Sequence, residues 1–255
     1  MQISDKTKAI VTGGASGLGA ATSAALAAQG AKVILFDMNA EMGQAHAQRI
    51  GGQFSQVDVS DAAAVKTAVD SVQKEHGALH VLVNCAGVGW ASKTVTKGAP
   101  HDPEMFAKLI GINLIGSFYC ASHAAAVMLE NDPIGTDGER GVIINTASVA
   151  AYEGQVGQVA YAASKGGIVG MTLPMARDLA PKGVRVCSIA PGLFLTPLLK
   201  SLPQEVQDSL GQQVPFPSRL GDPAEFGKLA CHIVDNAMLN GEVIRLDGAI
   251  RMAPR

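Results

Sequence analysis

Short apolar runs alternate with longer alanine-rich stretches along the whole chain. Runs of this length, bounded by glycine or aspartate and separated by helical patterns, indicate βαβ units and a parallel sheet. The predicted strands are Lys8–Thr12, Lys32–Asp37, Gln53–Val59, His80–Asn84, Gly141–Thr146, Val184–Ala190 and Glu242–Leu246. The predicted helices are Gly17–Gln29, Ala40–Ile50, Asp61–His76, Pro103–Glu130, Val159–Ala180 and Pro223–Asn236. The pattern therefore predicts an α/β fold.

Three segments depart from this alternation. Trp90–Asp102 and Asn131–Arg140 are predicted to be loops, the second an exposed insertion without the ligand spacing of a calcium loop. Residues 193–220 carry four prolines among apolar side chains, which predicts neither a clean helix nor a clean strand. A segment of this length is often a lid over an active site. An irregular surface packed for stability is an equally good interpretation.

Composition fits a large core. The 255 residues are 47% hydrophobic and only 16% charged, and the mean hydropathy is +0.21. These values suit a sheet that is buried on both faces. A chain of this size could form one α/β domain or two smaller ones. Because no linker or repeat interrupts the alternation, we expect one domain over residues 1–255.

Charge and cysteine usage exclude several classes of function. A net charge of −2 offers no electrostatic footprint for nucleic acid or for an anionic membrane. No apolar run is expected to approach the roughly 18 to 20 residues of a membrane span, and the start lacks the apolar core of a signal peptide. The four cysteines are far apart and the six histidines form no metal-ligand motif, so core thiols and no catalytic metal are expected. We expect a cytoplasmic protein.

A glycine-rich turn, Thr12 to Gly19, directly follows the first predicted strand and opens an alanine-rich helix. This context is the one that dinucleotide binding requires, since the glycines let the backbone approach a pyrophosphate at the helix N-terminus. Asp37 ends the next strand 18 residues beyond Gly19, near the spacing of about 20 expected for a carboxylate that binds the adenosine ribose. No basic residue accompanies it at Ser16, Leu18, Met38 or Asn39. The sequence therefore predicts NAD rather than NADP.

Tyr161 and Lys165 are four residues apart, so on a helix they lie on one face. A phenol with its ordinary pKa of about 10 is a poor base at neutral pH. We expect the Lys165 ammonium to lower the pKa of Tyr161, and the positive nicotinamide to lower it further. The phenolate could then take a proton from an alcohol while a hydride leaves the same carbon.

Over essentially its whole length the chain resembles the short-chain dehydrogenase/reductase family. The motifs that carry the resemblance are Thr12–Gly19, Asp58-Val59, Asn84-Cys85-Ala86-Gly87, Asn113, Ser148, Tyr161 with Lys165, and Pro191-Gly192. The resemblance implies a single doubly wound Rossmann domain with strand order 3-2-1-4-5-6-7, helices on both faces, and a homotetramer. One departure is Cys85, where many members have a second Asn.

The resemblance also implies roles for individual residues. Ser148 would bind the substrate oxygen, Tyr161 would act as acid or base, and Lys165 would bind the nicotinamide ribose and lower the tyrosine pKa. Asn113 would hold a water in a proton relay behind Lys165. The implied cofactor-binding residues are Gly13, Ser16, Gly17, Leu18, Gly19, Asp37, Asp58, Val59, Asn84, Cys85, Ala86, Gly87, Tyr161, Lys165, Pro191, Gly192, Phe194 and Thr196.

A closer resemblance, to the type 2 short-chain 3-hydroxyacyl-CoA dehydrogenases, covers longer runs. These runs are Gly141–Ala151, Glu153–Gln158, Gln213–Pro223 and Asn240–Arg251. The resemblance implies NAD-dependent interconversion of 3-hydroxyacyl-CoA and 3-oxoacyl-CoA, with Gln155 contacting the substrate. Apolar lid residues around Leu198 would cover an acyl or steroid body.

Three other functions stay open at this point. A 3-oxoacyl-[acyl-carrier-protein] reductase would share the fold and the catalytic residues, but such enzymes generally use NADPH, which Asp37 disfavours. A hydroxysteroid dehydrogenase would share both the residues and the cofactor. A non-enzymatic scaffold in an RNA-processing complex is a third alternative, against which the intact Ser148, Tyr161 and Lys165 argue. Sequence fixes neither the length of the acyl chain nor its branching.

Overall fold

The computed structural model describes residues 1–254, apart from the side chain of Leu198. The predicted contact of the Leu198 side chain with a substrate therefore lies outside the described residues. Arg255 also lies outside them. The strands are β1 Lys8–Thr12, β2 Lys32–Asp37, β3 Gln53–Gln56, β4 Val81–Asn84, β5 Val95–Thr96, β6 Ala99–Pro100, β7 Gly141–Thr146, β8 Val184–Pro191 and β9 Val243–Leu246. The helices are α1 Gly17–Ala28, α2 Ala40–Ile50, α3 Ala62–His76, α4 Pro103–Ile110, α5 Gly116–Met128, α6 Val159–Leu179, α7 Pro197–Lys200, α8 Gln204–Gln212 and α9 Pro223–Asp235.

Seven of the strands form one parallel sheet in the order β3-β2-β1-β4-β7-β8-β9. When the strands of this sheet are counted alone, the order is the predicted 3-2-1-4-5-6-7. Neighbouring residues of one strand point to opposite faces, so Ile10 and Ile143 pack with the core on the α3 and α5 side, whereas Val11 and Ile144 pack with the core on the α1 and α9 side. The predicted doubly wound fold, with helices on both faces, is confirmed.

Two predictions about the connections were wrong. The third strand was expected to reach Val59 but ends at Gln56, because the Asp58 carboxylate accepts a hydrogen bond from the Ser60 N–H at 2.9 Å and turns the chain. The segment predicted as the loop Trp90–Asp102 contains the antiparallel pair β5 and β6. Lys97 and Gly98 join these two strands with φ of 50° and 82°, values that suit a tight hairpin turn.

The predicted helix Pro103–Glu130 is interrupted by a π-helical turn, Gly111–Ile115, between α4 and α5. By length and composition the segment Pro103–Met128 could cross a membrane, with mean hydropathy 1.3, contrary to the expectation that no run approaches a span. In the fold 44% of that helical window is buried, and α5 packs against α3 and the sheet. Core helices of soluble proteins pass the same test of composition.

The two remaining irregular segments also differ from expectation. Residues 193–220 contain the short helices α7 and α8, so the region is more regular than the prolines predicted. The insertion 131–140 is exposed at its tip but anchored at its ends, where Asn131 donates to the Leu79 carbonyl at 2.6 Å and Glu139 is buried. All four cysteines are free thiols, three of them buried and Cys85 half-buried, which confirms core positions.

Candidate active site

A cavity of about 520 Å³ opens at the carboxyl ends of β1, β2 and β4, which is where ligands bind in open α/β sheets. Eleven predicted cofactor residues line it: Gly13, Ser16, Gly17, Leu18, Gly19, Asp37, Asp58, Val59, Cys85, Ala86 and Gly87. Sequence reasoning missed six others: Phe36, Met38, Val57, Val88, Lys108 and Ile112. Four of these six are direct sequence neighbours of Asp37, Asp58 or Gly87. Extending the predicted cofactor motifs by one residue in each direction would have included these four.

The glycine-rich turn has the shape that a pyrophosphate needs. Gly13 has φ of +62°, and a Cβ there would meet the Ala86 backbone N at 2.7 Å. A Cβ at Gly19 would meet the Gly13 carbonyl oxygen at 2.1 Å. Ser16 precedes α1 without making a side-chain cap hydrogen bond, which leaves the first N–H groups of the helix for an anion. The residues present therefore fit a dinucleotide.

Asp37 stands at the end of β2 on the rim of this cavity. Its carboxylate accepts hydrogen bonds from the N–H groups of Ala15 and Asn39, each at 3.0 Å. Among the lining residues the cation is Lys108, whose Nζ lies 5.8 Å from the Trp90 ring centroid. The lining thus carries the carboxylates of Asp37 and Asp58 together with the ammonium of Lys108, and the binding of a ribose with free hydroxyls by Asp37 stays a prediction.

Several predicted cofactor residues lie behind the cavity wall. Asn84 is buried, and its amide donates to the Ser117 carbonyl at 3.1 Å and to the Asn145 Oδ1 at 2.9 Å. The Phe194 ring packs edge-on against Phe226, with the centroids 6.5 Å apart. Pro191 and Gly192 are likewise absent from the lining. The side chains of Asn84 and Phe194 thus turn to protein neighbours, and their contact with a cofactor stays a prediction.

Thr196, by contrast, adjoins the glycine-rich turn. Its Cγ2 lies 3.7 Å from the ideal Cβ position at Gly17, and the Pro197 Cδ lies 3.4 Å from it. The start of the segment 193–220 therefore packs on the glycine-rich turn.

Ser148, Tyr161 and Lys165 meet at the other end of the site. Ser148 follows β7 and its hydroxyl accepts the Ala150 N–H at 3.1 Å, capping a short 3₁₀ helix. Tyr161 and Lys165 lie one turn apart in the first half of α6. The Lys165 Nζ is 5.7 Å from the Tyr161 ring centroid and donates to the Thr146 carbonyl at 2.7 Å. The three residues that sequence singled out are brought together.

Burial dominates the electrostatics of this group. It raises the pKa of Tyr161 above its ordinary value, and a hydrogen bond with the Ser148 hydroxyl opposes that effect. The predicted lowering of the Tyr161 pKa by Lys165 is therefore not found in the protein alone. Burial also lowers the pKa of Lys165 to about 8. The ammonium stays mostly protonated at neutral pH, but it faces the ring of Tyr161 rather than pairing with its oxygen.

Asn113 lies in the π turn and is fully buried. Its Oδ1 accepts the Val88 N–H at 2.8 Å, and its Nδ2 donates to the Val88 carbonyl at 2.9 Å and to the Ser164 hydroxyl at 3.2 Å. The side chain is thus engaged by protein groups, and its expected role of holding a water stays a prediction. Asn113 joins the loop after β4 to the helix that carries Tyr161. π turns of this kind are frequent at functional sites.

The family profile described as "short chain dehydrogenase" matches residues 7–207. The chain belongs to the short-chain dehydrogenase family. It is 56% identical to human "3-hydroxyacyl-CoA dehydrogenase type-2" over 250 residues, covering 96% of this chain and 95% of that protein. It is 33% identical to human "(3R)-3-hydroxyacyl-CoA dehydrogenase", covering 96% and 95%. The crystal structure of 3-hydroxyacyl-CoA dehydrogenase type-2 from Mycobacterium avium superposes with a TM-score of 0.94 at 41% identity, covering 98% of each chain.

In this short-chain dehydrogenase, Gln155 lies apart from the cofactor cavity. It lines a second cavity of about 550 Å³ together with Lys93–Val95, Gly157 and Ala162. Ala162 is the chain neighbour of Tyr161, whereas Tyr161 and Ser148 themselves do not line this cavity. The Gln155 Nε2 donates to the Ala253 carbonyl at 3.0 Å, a contact that sequence reasoning missed.

Two further residues of the dehydrogenase site were also missed. Thr146 supplies the carbonyl that accepts from Lys165, and the Ser164 hydroxyl donates to the Tyr161 carbonyl at 2.7 Å. Both adjoin residues that the motifs named: Thr146 ends the strand before Ser148, and Ser164 precedes Lys165. A motif match predicts the reacting groups, whereas the partners of their side chains and backbone emerge only from the fold.

Proposed function

We propose that this short-chain dehydrogenase oxidises 3-hydroxyacyl-CoA thioesters to 3-oxoacyl-CoA with NAD. The observation that carries the proposal is the 56% identity to human 3-hydroxyacyl-CoA dehydrogenase type-2 over nearly the full length of both chains. Identity to the human (3R)-3-hydroxyacyl-CoA dehydrogenase is much lower, at 33%. The assembled Ser148, Tyr161 and Lys165 support oxidation or reduction at a carbon that bears oxygen.

NAD as the cofactor rests on Asp37 and the glycine-rich turn. The turn offers backbone N–H groups to the pyrophosphate, and Asp37 offers acceptors to the ribose hydroxyls while repelling a 2′-phosphate. When bound, NAD accepts the hydride from the hydroxyl-bearing carbon. Lys165 would reach the nicotinamide ribose, and its positive charge would then lie between the ribose and the Tyr161 ring.

The protein's own groups manage the proton. The Ser148 hydroxyl would hydrogen-bond the substrate oxygen and fix its distance from Tyr161. The Tyr161 phenolate would accept the hydroxyl proton during oxidation, and the phenol would return it during reduction. Burial raises the pKa of Tyr161 in the protein alone, so positive charge and hydrogen bonds from a bound cofactor and substrate would have to lower it for the phenolate to form.

We further propose a cytoplasmic homotetramer. Apolar side chains on α5 and α6 support self-association, since Phe118 is 48% exposed and Leu173 is 43% exposed. The C-terminal residues 248–254 offer less apolar surface for such contacts, since Ile250 is buried within its own chain.

A substrate panel tests the function. Wild-type enzyme is assayed with acetoacetyl-CoA, 2-methylacetoacetyl-CoA, an acetoacetyl-acyl-carrier protein and a ketosteroid, each with NADH and with NADPH. We expect the highest kcat/KM for a CoA thioester with NADH. Preference for the acyl-carrier protein with NADPH would replace the proposal by the reductase alternative, and preference for the ketosteroid would replace it by the hydroxysteroid dehydrogenase.

A further inference from the structure

The segment that connects Ser148 to Tyr161 packs against the end of the chain. We call residues 149–160 the connecting segment and residues 249–254 the tail. The Val156 N–H donates to the Pro254 carbonyl at 3.0 Å, and the Gln155 Nε2 donates to the Ala253 carbonyl at 3.0 Å. The connecting segment therefore takes part of its shape from residues almost 100 positions away in sequence.

The Glu153 carboxylate links the connecting segment to the tail. Its two oxygens accept from the Arg245 guanidinium at 2.8 and 3.1 Å in a bidentate pair, and one of them also accepts the Met252 N–H at 3.2 Å. Bidentate pairs of this kind are among the stronger and more directional hydrogen bonds. Glu153 and Arg245 are only 21% and 22% exposed, so water competes weakly for them.

Arg245 extends the network to the base of the tail. Its Nε donates to the Asp247 carboxylate at 2.7 Å and its Nη2 donates to the Ile250 carbonyl at 3.1 Å. Its guanidinium also lies 5.3 Å from the Tyr152 ring centroid. Because Arg245 stands on β9 beside β8, the network ties both the tail and the connecting segment to the rigid sheet.

The connecting segment also lines the second cavity, of about 550 Å³. Gln155 lines this cavity, as do Gly157 and Pro254. With its Nε2 held by Ala253, the Gln155 amide has one fixed orientation at the wall. Because the connecting segment runs from Ser148 to Tyr161, its shape sets where Gln155 stands relative to both of these residues.

We propose that Glu153 is a positioning residue for the acyl substrate. By holding Arg245 and the Met252 N–H, it fixes the tail against the connecting segment, and the tail fixes the amide of Gln155 in the second cavity, where we place part of the acyl substrate. This inference rests on the proposed 3-hydroxyacyl-CoA dehydrogenase function. It assigns Glu153 no contact with the cofactor cavity, since Glu153 does not line that cavity.

The test compares wild type, Glu153→Ala, Glu153→Gln, Gln155→Ala and the double variant Glu153→Ala/Gln155→Ala. Each is assayed for acetoacetyl-CoA reduction, and NADH affinity is measured by fluorescence. For Glu153→Ala we expect the KM for acetoacetyl-CoA to rise about fivefold or more, because loosening one set of charged hydrogen bonds commonly costs that much. The NADH Kd should stay within about twofold of wild type, well below the tenfold that corresponds to 1.4 kcal/mol.

Two comparisons separate positioning from general loosening of the fold. Residues that act through one another are non-additive, so the double variant should have the KM of the worse single variant. Glu153→Gln keeps one acceptor oxygen for Arg245 and should recover part of the loss. Asp70→Asn is the matched control, because Asp70 pairs with Lys66 on the exposed face of α3 away from the tail. It should behave as wild type.

The outcomes are distinct. The inference fails if the single effects multiply in the double variant, if the NADH Kd and the KM rise together, or if the KM of Glu153→Ala and Glu153→Gln equals that of active wild type. Should Glu153→Ala not fold, as judged by circular dichroism, Glu153→Gln with and without Gln155→Ala decides the question by the same criteria. Wild-type enzyme that does not reduce acetoacetyl-CoA would instead overturn the proposed function.

Discussion

The ammonium of Lys165 donates a 2.7 Å hydrogen bond to the carbonyl of Thr146. This contact joins the helix that carries Tyr161 to the strand that leads to Ser148. Two residues with proposed catalytic roles, on separate elements, are thereby held in register by a backbone oxygen. The contact also leaves two of the three ammonium protons for a ribose, which gives Lys165 a structural task and a cofactor task at once.

Tyr161→Phe should abolish most turnover without disturbing the fold. The ring and its packing remain, while the only proposed proton-transfer group is lost, and general acid–base catalysis contributes typically about 10² to 10⁴-fold. We expect kcat for acetoacetyl-CoA to fall at least about a hundredfold, with NADH affinity preserved. Quenching of the single Trp90 by NADH provides the binding measurement. Retention of more than about a tenth of wild-type activity would exclude Tyr161 as the acid–base group.

Asp37→Ala should weaken NAD binding about tenfold or more, because hydrogen bonds to a charged group contribute roughly 1.5 to 3 kcal/mol. The preference over NADP should narrow, since repulsion of the 2′-phosphate is lost. Asp37→Asn keeps an acceptor and removes the charge, so it should retain more NAD affinity than Asp37→Ala while discriminating less against NADP. Cofactor constants equal to those of wild type in both variants would show that Asp37 does not bind the ribose.

Because of Lys165, the stability of the free enzyme should change with pH in the alkaline range. Burial lowers its pKa from 10.5 to about 8, so between these values the unfolded state binds more protons and stability rises with pH. The cost of burying the charged ammonium is fully present below pH 8 and is lost as pH rises toward 10.5. Relative to Lys165→Met, the wild-type folding constant should gain up to about tenfold per pH unit in this window. Urea titrations at several pH values measure it, and parallel curves for the two proteins would contradict it.

His46 should have the corresponding effect at acid pH. It is buried between α1 and α2, with its Nε2 2.8 Å from the Ser23 hydroxyl, and burial lowers its pKa below 6.5. The stability that neutral His46 contributes is present above pH 6.5 and is lost as pH falls through the lowered pKa. His46→Gln should flatten the decline of the melting temperature below pH 6.5. An unchanged pH profile for His46→Gln would refute the assignment.

The proposed homotetramer should have a mass of about four times 26.2 kDa by light scattering at micromolar concentration. Burial of the apolar side chains on α5 and α6 is the physical reason. Phe118→Glu should shift the mass downward, because a charge would enter the contact. Asp70→Asn, on α3, should leave the mass unchanged. A monomer mass for wild type would rule out the tetramer.

Much of the fold could be predicted from the hydrophobic periodicity and from the glycine and aspartate residues that bound the apolar runs. The bounds of β1, β2 and β7 agree with the predicted runs residue for residue, because buried parallel strands are continuous apolar runs. The strand order came from family resemblance rather than from the pattern. The hairpin of β5 and β6 was missed because each of its strands has only two residues, too few for alternation to show.

The candidate site was predictable in its reacting groups and not in its surroundings. Spacing placed Tyr161 and Lys165 on one face of a helix, but it gave no measure of burial, which reverses the expected direction of the Tyr161 pKa shift. Spacing likewise could not show that the amide of Asn113 turns to Val88. The depth and direction of a side chain depend on neighbours from other elements, and these neighbours are set only when the whole chain folds.

The π turn at Gly111–Ile115 keeps the two halves of one long helix in different angular phases. A regular α-helix advances about 100° per residue, so the additional residue rotates everything after it by that amount relative to α4. Leu109 before the turn and Cys120 and Ala124 after it are all buried. Removing one residue from the turn would leave the downstream sequence unchanged. It would nevertheless rotate the apolar stripe of α5 by about 100° relative to α4, so that the stripe would no longer face the sheet.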